Sequence, residues 1–237
     1  MNRSTPLSST LGALAGVGFA VLFFFSLAVI DPLKNPTNQA LLTWWADVGK
    51  QRDSMISMYS MLLAAPLFLI FLVQLCNRLR SAGQSAESWS GLVFGAGVAY
   101  VALVAVTAFS RGVIAQSIRV SDEPIPGPDT LRYATALSQA AFSLAAIPFA
   151  AIVVAAGSVI IVRTGVLARW LGWLGLVVAA VSLVTVILLV GALASPLILL
   201  WVVATSFVIW RTRNVLADDA AVTSPGAVSV SAPSASR

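Results

Sequence analysis

The fold is decided by an uncharged run at residues 170–210, which reads WLGWLGLVVAAVSLVTVILLVGALASPLILLWVVATSFVIW. A straight helix of this length would extend for about 60 Å, because each residue adds about 1.5 Å. The hydrocarbon core of a bilayer is only about 30 Å thick, so the run has to fold back on itself. Its best breaking point is the segment 191–196, where Ser195 can cap a helix and Pro196 suits a first helical position. The run therefore predicts a hairpin of two spans.

Four further uncharged runs precede this hairpin, at residues 4–30, 54–77, 88–110 and 133–162. A Lys, Arg or Asp at the centre of a bilayer costs about 2.5 to 3.5 kcal/mol, so each uncharged run suits one span. We predict an all-α fold, a polytopic transmembrane bundle of six helices. The predicted spans are about 10–30, 54–76, 90–115, 131–162, 170–191 and 196–211. They make up a transmembrane domain over 1–213, followed by a disordered cytoplasmic tail over 214–237 that is rich in Ala, Ser, Val and Pro.

The composition narrows the possible functions. Of the 237 residues, 59% are apolar and 10% are charged, whereas an average soluble domain is about 25% charged. The chain has no His and a single Cys, Cys76, so the usual metal and haem ligands and an internal disulfide are excluded. It also has no phosphate-binding loop and no intramembrane pair of Asp residues. We therefore predict no metal site, no cofactor, no enzymatic activity and no nucleic-acid partner.

The distribution of basic residues predicts the orientation. Arg78, Arg80, Arg163 and Arg169 lie in two short loops on the side that also holds both termini. Basic residues close to helix ends mark the cytoplasmic side, so both termini are expected in the cytoplasm of a multi-pass plasma-membrane protein. A cleaved signal peptide is the alternative interpretation of the first helix. Its apolar region of about 20 residues is longer than the usual 7 to 15, which favours a span.

The first outer loop contains a second helical pattern at about 38–50. Leu41, Trp44, Trp45 and Val48 are spaced as one face of a helix, and Thr37 or Asn38 can cap it. A Trp-anchored helix lying along the membrane interface is one interpretation of this pattern, and a lid over an outer pocket is the other.

Candidate ligand-binding residues cluster by depth in the outer half of helices two, three and four. They are Arg111, Gln139, Ser138, Tyr59, Arg132 and Tyr133. If these side chains converge, they form an outward-facing polar pocket with a cationic rim, suited to an anionic headgroup or a small anion. Arg111 can instead extend to the membrane surface, and a residue such as Gln139 can instead join two helices by hydrogen bonding.

Proline and glycine give two weaker signals. Pro66 and Pro148 lie near the middle of helices two and four and predict kinks, because proline removes a backbone hydrogen bond. Gly91, Gly95 and Ala99 form a face of small residues on helix three that predicts close packing with another helix, within one protomer or between two.

One segment resembles a known family. The stretch 162–176, VRTGVLARWLGWLGL, is followed by the hairpin and by LWVVATSFVIWR at 200–211. Together they resemble the DUF4386-type group of actinobacterial six-helix membrane proteins, and the likeness extends over roughly residues 10–212. The resemblance implies a six-helix fold in a functionally uncharacterised group, and it supplies no catalytic residue.

The sequence is compatible with two functions. The leading hypothesis is a non-enzymatic membrane protein that binds or helps move a lipid or another amphiphilic small molecule. The alternative is a non-catalytic subunit or assembly factor of a larger membrane complex. The expected partners are membrane lipids and a helix-mediated homo- or hetero-oligomer.

Overall fold

The computed structural model describes the backbone of residues 6–29 and 36–222 and the side chains within 10–29, 36–83 and 86–211. All regular elements in this part of the chain are helical. They are α1 (Pro6–Val29), α2 (Asn38–Ala46), α3 (Val48–Arg80), α4 (Gln84–Val120), α5 (Pro128–Gln139), a π-helical turn (Ala140–Ala146), α6 (Ile147–Thr164), α7 (Arg169–Ile187), a 3₁₀ turn (Gly191–Ala194) and α8 (Ser195–Val222).

Six helical stretches are long and apolar enough to cross a membrane, which confirms the predicted fold class and a multi-pass membrane protein. They are Thr10–Val29, Val48–Arg80, Ala86–Val120, Pro128–Thr164, Arg169–Ile187 and Gly191–Arg211. Four of them are longer than predicted. The second, third and fourth continue past their uncharged runs, and the sixth includes the 3₁₀ turn that begins at Gly191. The fourth span begins at Pro128 rather than 131, with Gly127 at the N-cap, because proline suits the first turn of a helix.

Asp47 separates α2 from α3, so the helix predicted at 38–50 ends at Ala46 and Lys50 belongs to α3. The Asp47 carboxylate accepts hydrogen bonds from the backbone N–H of Gly49 at 2.7 Å and of Lys50 at 3.4 Å. These bonds cap α3 and start a new helix direction. The predicted cap at the start of α2 is confirmed, since the Thr37 hydroxyl accepts from the backbone N–H of Ala40 at 3.2 Å.

The fourth span changes its helical register before Pro148. The backbone N–H of Ile147 donates to the carbonyl of Phe142, five residues earlier, at the end of the π-helical turn. Pro148 has no N–H, so the carbonyl of Ser143 receives no bond from it in this register. Gly191 lies directly against that carbonyl, with too little space for a Cβ atom. The irregular turn is therefore packed against the 3₁₀ turn that closes the predicted hairpin.

The last helix extends beyond its predicted end. Its backbone is helical to Val222, beyond the predicted end at 211. The disordered tail over 214–237 stays a prediction. The remainder of the predicted tail, 223–237, lies outside the described residues.

The helices pack around one apolar core. α3 packs against α1 and α4, α6 against α4 and α7, and α8 against α1. Phe19 of α1 stacks near Phe68 of α3 and Tyr100 of α4, with ring centroids 4.8 and 6.5 Å apart. At the other end of α1, Ser26 and Ser57 each donate a hydrogen bond to the other's backbone carbonyl, at 3.0 and 2.9 Å. These contacts fix α1 antiparallel to α3.

Five arginines mark one end of the bundle, which we term the basic end. They are Arg78, Arg80, Arg163, Arg169 and Arg211. The opposite end carries α2 and the connection 121–127, and we term it the α2 end.

Gly175 lies at a tight contact among α6, α7 and α8. A Cβ atom there would overlap the hydroxyl of Ser158 and the indole nitrogen of Trp201, which is fully buried. Gly95 on α4 is exposed, and a Cβ atom there would meet nothing within 4 Å.

The replacement Gly175→Ala is therefore expected to destabilise the folded protein by about 1–3 kcal/mol, because the added methyl group overpacks a rigid contact. The matched control Gly95→Ala is expected to leave stability unchanged or to raise it by up to about 1 kcal/mol, because alanine restricts the unfolded chain. Unfolding midpoints of both variants in one detergent measure the difference. Equal midpoints would contradict this account of the packing.

Candidate functional site

A cavity of about 720 Å³ lies at the α2 end of the bundle. Its walls come from α1, α2, the start of α3, α4, α5, the π-helical turn and the 3₁₀ turn. Much of the wall is apolar, including Leu27, Leu41, Trp45, Phe142 and Ala192. The volume lies within the range of about 300–1,000 Å³ that is typical of sites for small molecules.

Arg111 is the central polar group of the cavity wall. Its Nε donates a hydrogen bond to the Ser138 hydroxyl at 3.1 Å, which joins α4 to α5. Its guanidinium carbon lies 6.0 Å from the centroid of the Phe142 ring, within cation–π distance. No acidic residue in the described part of the chain lies within ion-pair distance of Arg111. The guanidinium is therefore oriented by neutral partners.

A polar stripe on α5 forms a second part of the wall. Its polar members Arg132, Thr135 and Gln139 follow the spacing i, i+3, i+7. Ala136 lies on the same face, and all four residues line the cavity. Their side chains remain exposed, so the cavity is open to the surroundings of the bundle. Arg132 is anchored at one point, because a terminal nitrogen of its guanidinium donates to the carbonyl of Pro36 at 3.1 Å.

Helix α2 closes another side of the cavity. Leu41 and Trp45 are buried in a small apolar cluster with residues of α4 and α5, among them Ile114 and Leu131. The Gln51 side chain donates to the Trp45 carbonyl at 2.7 Å and ties α2 to α3. This packing places the apolar face of α2 on the bundle and over the cavity.

The structure brings together four of the six predicted site residues: Arg111, Arg132, Ser138 and Gln139 all line the cavity. Tyr59 and Tyr133 do not line it, and their side chains are 48% and 70% exposed on other helix faces. These two tyrosines were included in the predicted site only because their positions along the helices match those of the other candidates in depth. Tyr133 and Ser138 lie equally far around α5 from the stripe, on opposite sides, so helical spacing gives no signal that excludes Tyr133.

Other lining residues were not predicted as part of a site. Leu27, Ser54, Phe142 and Ala192 come from four different elements, and no sequence motif links them. Leu41, Trp44 and Trp45, predicted as one face of an outer helix, also line the cavity. The interfacial-helix and lid interpretations of that helix both stay predictions. Whether the cavity binds a ligand stays a prediction.

Elsewhere in the described residues, no group of three or more His, Cys, Asp or Glu side chains could hold a metal ion. Cys76 is buried, and its thiol lies 3.6 Å from the carbonyl of Ser90.

The open cavity predicts a difference in thiol reactivity between neighbouring α5 positions. In a Cys76→Ala background, Gln139→Cys should react with a water-soluble maleimide at least about tenfold faster than Leu137→Cys, because thiols react as thiolates and these need water. Leu137 is exposed but does not line the cavity, and it lies closer to the helix start. Equal labelling rates in membrane vesicles, or faster labelling at 137, would contradict an open polar cavity.

Comparison with known proteins gives no family: no family model, no curated protein and no solved structure matches this chain. The resemblance to the DUF4386-type group therefore stays a prediction.

Proposed function

We propose that this protein is a non-enzymatic plasma-membrane protein that binds, or helps to move, a lipid or another amphiphilic small molecule. The observation that carries the proposal is the cavity at the α2 end, where the Arg111 guanidinium is set among walls that are otherwise largely apolar. No cofactor is required for this role.

The shape of the site favours an amphiphile over a purely polar ligand. The polar stripe from Arg132 to Gln139 covers eight residues, or about 10 Å along the axis of α5, which suits a headgroup. Apolar side chains from α1, α2 and the 3₁₀ turn line the remainder, among them Leu27, Leu41 and Ala192. A ligand with one polar end and one apolar end satisfies both surfaces, whereas a hydrophilic solute leaves the apolar wall in contact with water.

The position of the cavity along the bundle also supports this proposal. Arg111 ends the uncharged run 88–110, so it lies where α4 reaches the membrane boundary. Lipid headgroups occupy the same level. With the termini in the cytoplasm, as the basic end favours, the cavity faces the outside of the cell.

Filling the cavity tests the proposal. Ala136→Trp places a large side chain in the cavity and is expected to remove any stoichiometric lipid or amphiphile that co-purifies with the protein. Leu137→Trp adds a similar side chain at the adjacent position, outside the cavity lining, and is expected to retain it.

Native mass spectrometry of the protein released from nanodiscs, with lipid analysis of the bound species, measures how much ligand each variant retains. Retention of the same ligand by Ala136→Trp would contradict binding in this cavity.

The alternative function, a non-catalytic subunit of a larger complex, is favoured by a different observation. Gly91 and Gly95 are exposed on α4, and neither has a neighbouring atom where a side chain would begin. The predicted small-residue face is thus not used for packing at these glycines within the described bundle. A helix of a partner protein would pack on this small-residue face, since small residues allow close approach of two backbones.

Photo-crosslinking distinguishes this alternative. Benzoylphenylalanine in place of Gly91 should give one discrete adduct in native membranes, while the same group in place of Trp89 should not. Trp89 is also exposed, at nearly the same depth and about 160° around the helix. Identical adduct patterns, or none from position 91, would exclude a specific partner on this face.

A further inference from the structure

We infer that the cavity selects an amphiphile whose headgroup is an oxyanion, a phosphate or a carboxylate, held by Arg111 with Ser138. This inference rests on the proposed function and names the ligand class of that site. It combines three observations: how Arg111 is oriented, which hydrogen-bond donors stay unused, and the sign of the charges on the wall.

The orientation of Arg111 leaves its binding groups free. A guanidinium has five N–H donors, and the hydrogen bond to Ser138 uses the single one on Nε. The two terminal nitrogens have no hydrogen-bond acceptor among the residues that the structure describes. The terminal nitrogens of a guanidinium are the groups that bind a carboxylate or a phosphate with parallel hydrogen bonds.

Ser138 supplies a further donor beside Arg111. Most hydroxyls on the spanning helices donate to a carbonyl of their own helix, as Thr135 does to Leu131 at 2.9 Å. Ser138 is buried, it accepts from Arg111, and its own O–H has no acceptor within the described ranges. An oxyanion bound to the guanidinium could accept from this hydroxyl as well.

The charges on the cavity wall have one sign. Arg111 and Arg132 both line it, and none of its described lining residues is acidic. Two cations in one partly apolar cavity repel each other, and a cleft lined by one sign of charge concentrates ligands of the opposite sign. Because removing a charge from water is costly unless it is paired, an anionic ligand stabilises this arrangement more than an uncharged one.

The test compares three probes on the whole protein in micelles of n-dodecyl maltoside, whose headgroup carries no phosphate or carboxylate, with empty micelles to subtract partitioning into detergent. The probes are n-dodecyl phosphate, n-dodecanol and inorganic phosphate. We expect dodecyl phosphate to bind at least about tenfold more tightly than either of the others, because charge-assisted hydrogen bonds add to the contacts of the tail.

Two pairs of variants test whether Arg111 and Ser138 give the site its preference for the phosphate headgroup. Arg111→Gln should weaken dodecyl phosphate binding by about tenfold or more and change dodecanol binding by less than about twofold. Arg119→Gln is the matched control, because Arg119 lies on the same helix, is exposed and does not line the cavity. Ser138→Ala should give a smaller loss, and Ser117→Ala, whose hydroxyl donates to the Ile114 carbonyl outside the cavity, should give none.

The outcomes separate the two proposals. Equal affinity for dodecyl phosphate and dodecanol, with no effect of Arg111→Gln, overturns the headgroup inference and leaves amphiphile binding in place. Inorganic phosphate that binds as tightly as dodecyl phosphate and depends on Arg111 supports the oxyanion site but overturns the amphiphile. Binding of none of the three probes overturns both.

Discussion

The structure depends on one constraint: within hydrocarbon, every polar group has to find its partner inside the protein. Helix backbones meet it by themselves, and most hydroxyls meet it locally. Thr107, Ser182 and Thr205 each donate to the carbonyl four residues earlier, at 2.7–2.9 Å. Ser26 of α1 and Ser57 of α3 instead donate to each other's backbone carbonyls. Three buried donors in the described residues have no partner: the indole N–H groups of Trp44 and Trp201 and the hydroxyl of Ser158. Arg111 lies between these cases, since Ser138 accepts from only one of its five donors.

The same constraint connects the irregular backbone to the cavity. Pro148 interrupts the hydrogen-bond ladder of the fourth span, and the resulting π-helical turn carries Phe142, whose ring lies beside Arg111. π-helical turns occur frequently at functional sites, because they redirect side chains without ending the helix. The 3₁₀ turn that packs against this segment through Gly191 also contributes Ala192 to the cavity wall. The two departures from regular α-helix thus meet where the candidate site lies.

Much of the fold could be predicted from the sequence, because the cost of a charge in the bilayer limits where spans can lie. The uncharged runs and the length of 170–210 were sufficient to predict six helices and the hairpin. Helix ends were less predictable, since they depend on local caps such as Asp47 and a helix can continue past its apolar run, as α8 does after Arg211. The π-helical turn was anticipated only as a kink at Pro148.

The candidate site was predictable in part, for a related reason. Counting residues from the helix ends gives depth, which correctly grouped Arg111 with Ser138 and Gln139. Depth does not give the rotation of a helix about its axis, so Tyr59 and Tyr133 were included although they lie on other faces. The contributions of α1 and the 3₁₀ turn depend on how six similar apolar helices pack, and composition does not determine that packing.

The candidate site depends on the orientation of Arg111, which turns into the bundle beside an open cavity instead of extending to the membrane surface. Cryo-electron microscopy of the protein in lipid nanodiscs, at a resolution that shows side chains, tests it most directly. We expect the Arg111 guanidinium within hydrogen-bond distance of Ser138, with the cavity at the α2 end present. A guanidinium directed outward to the lipid headgroups, with the cavity filled by side chains, would contradict it.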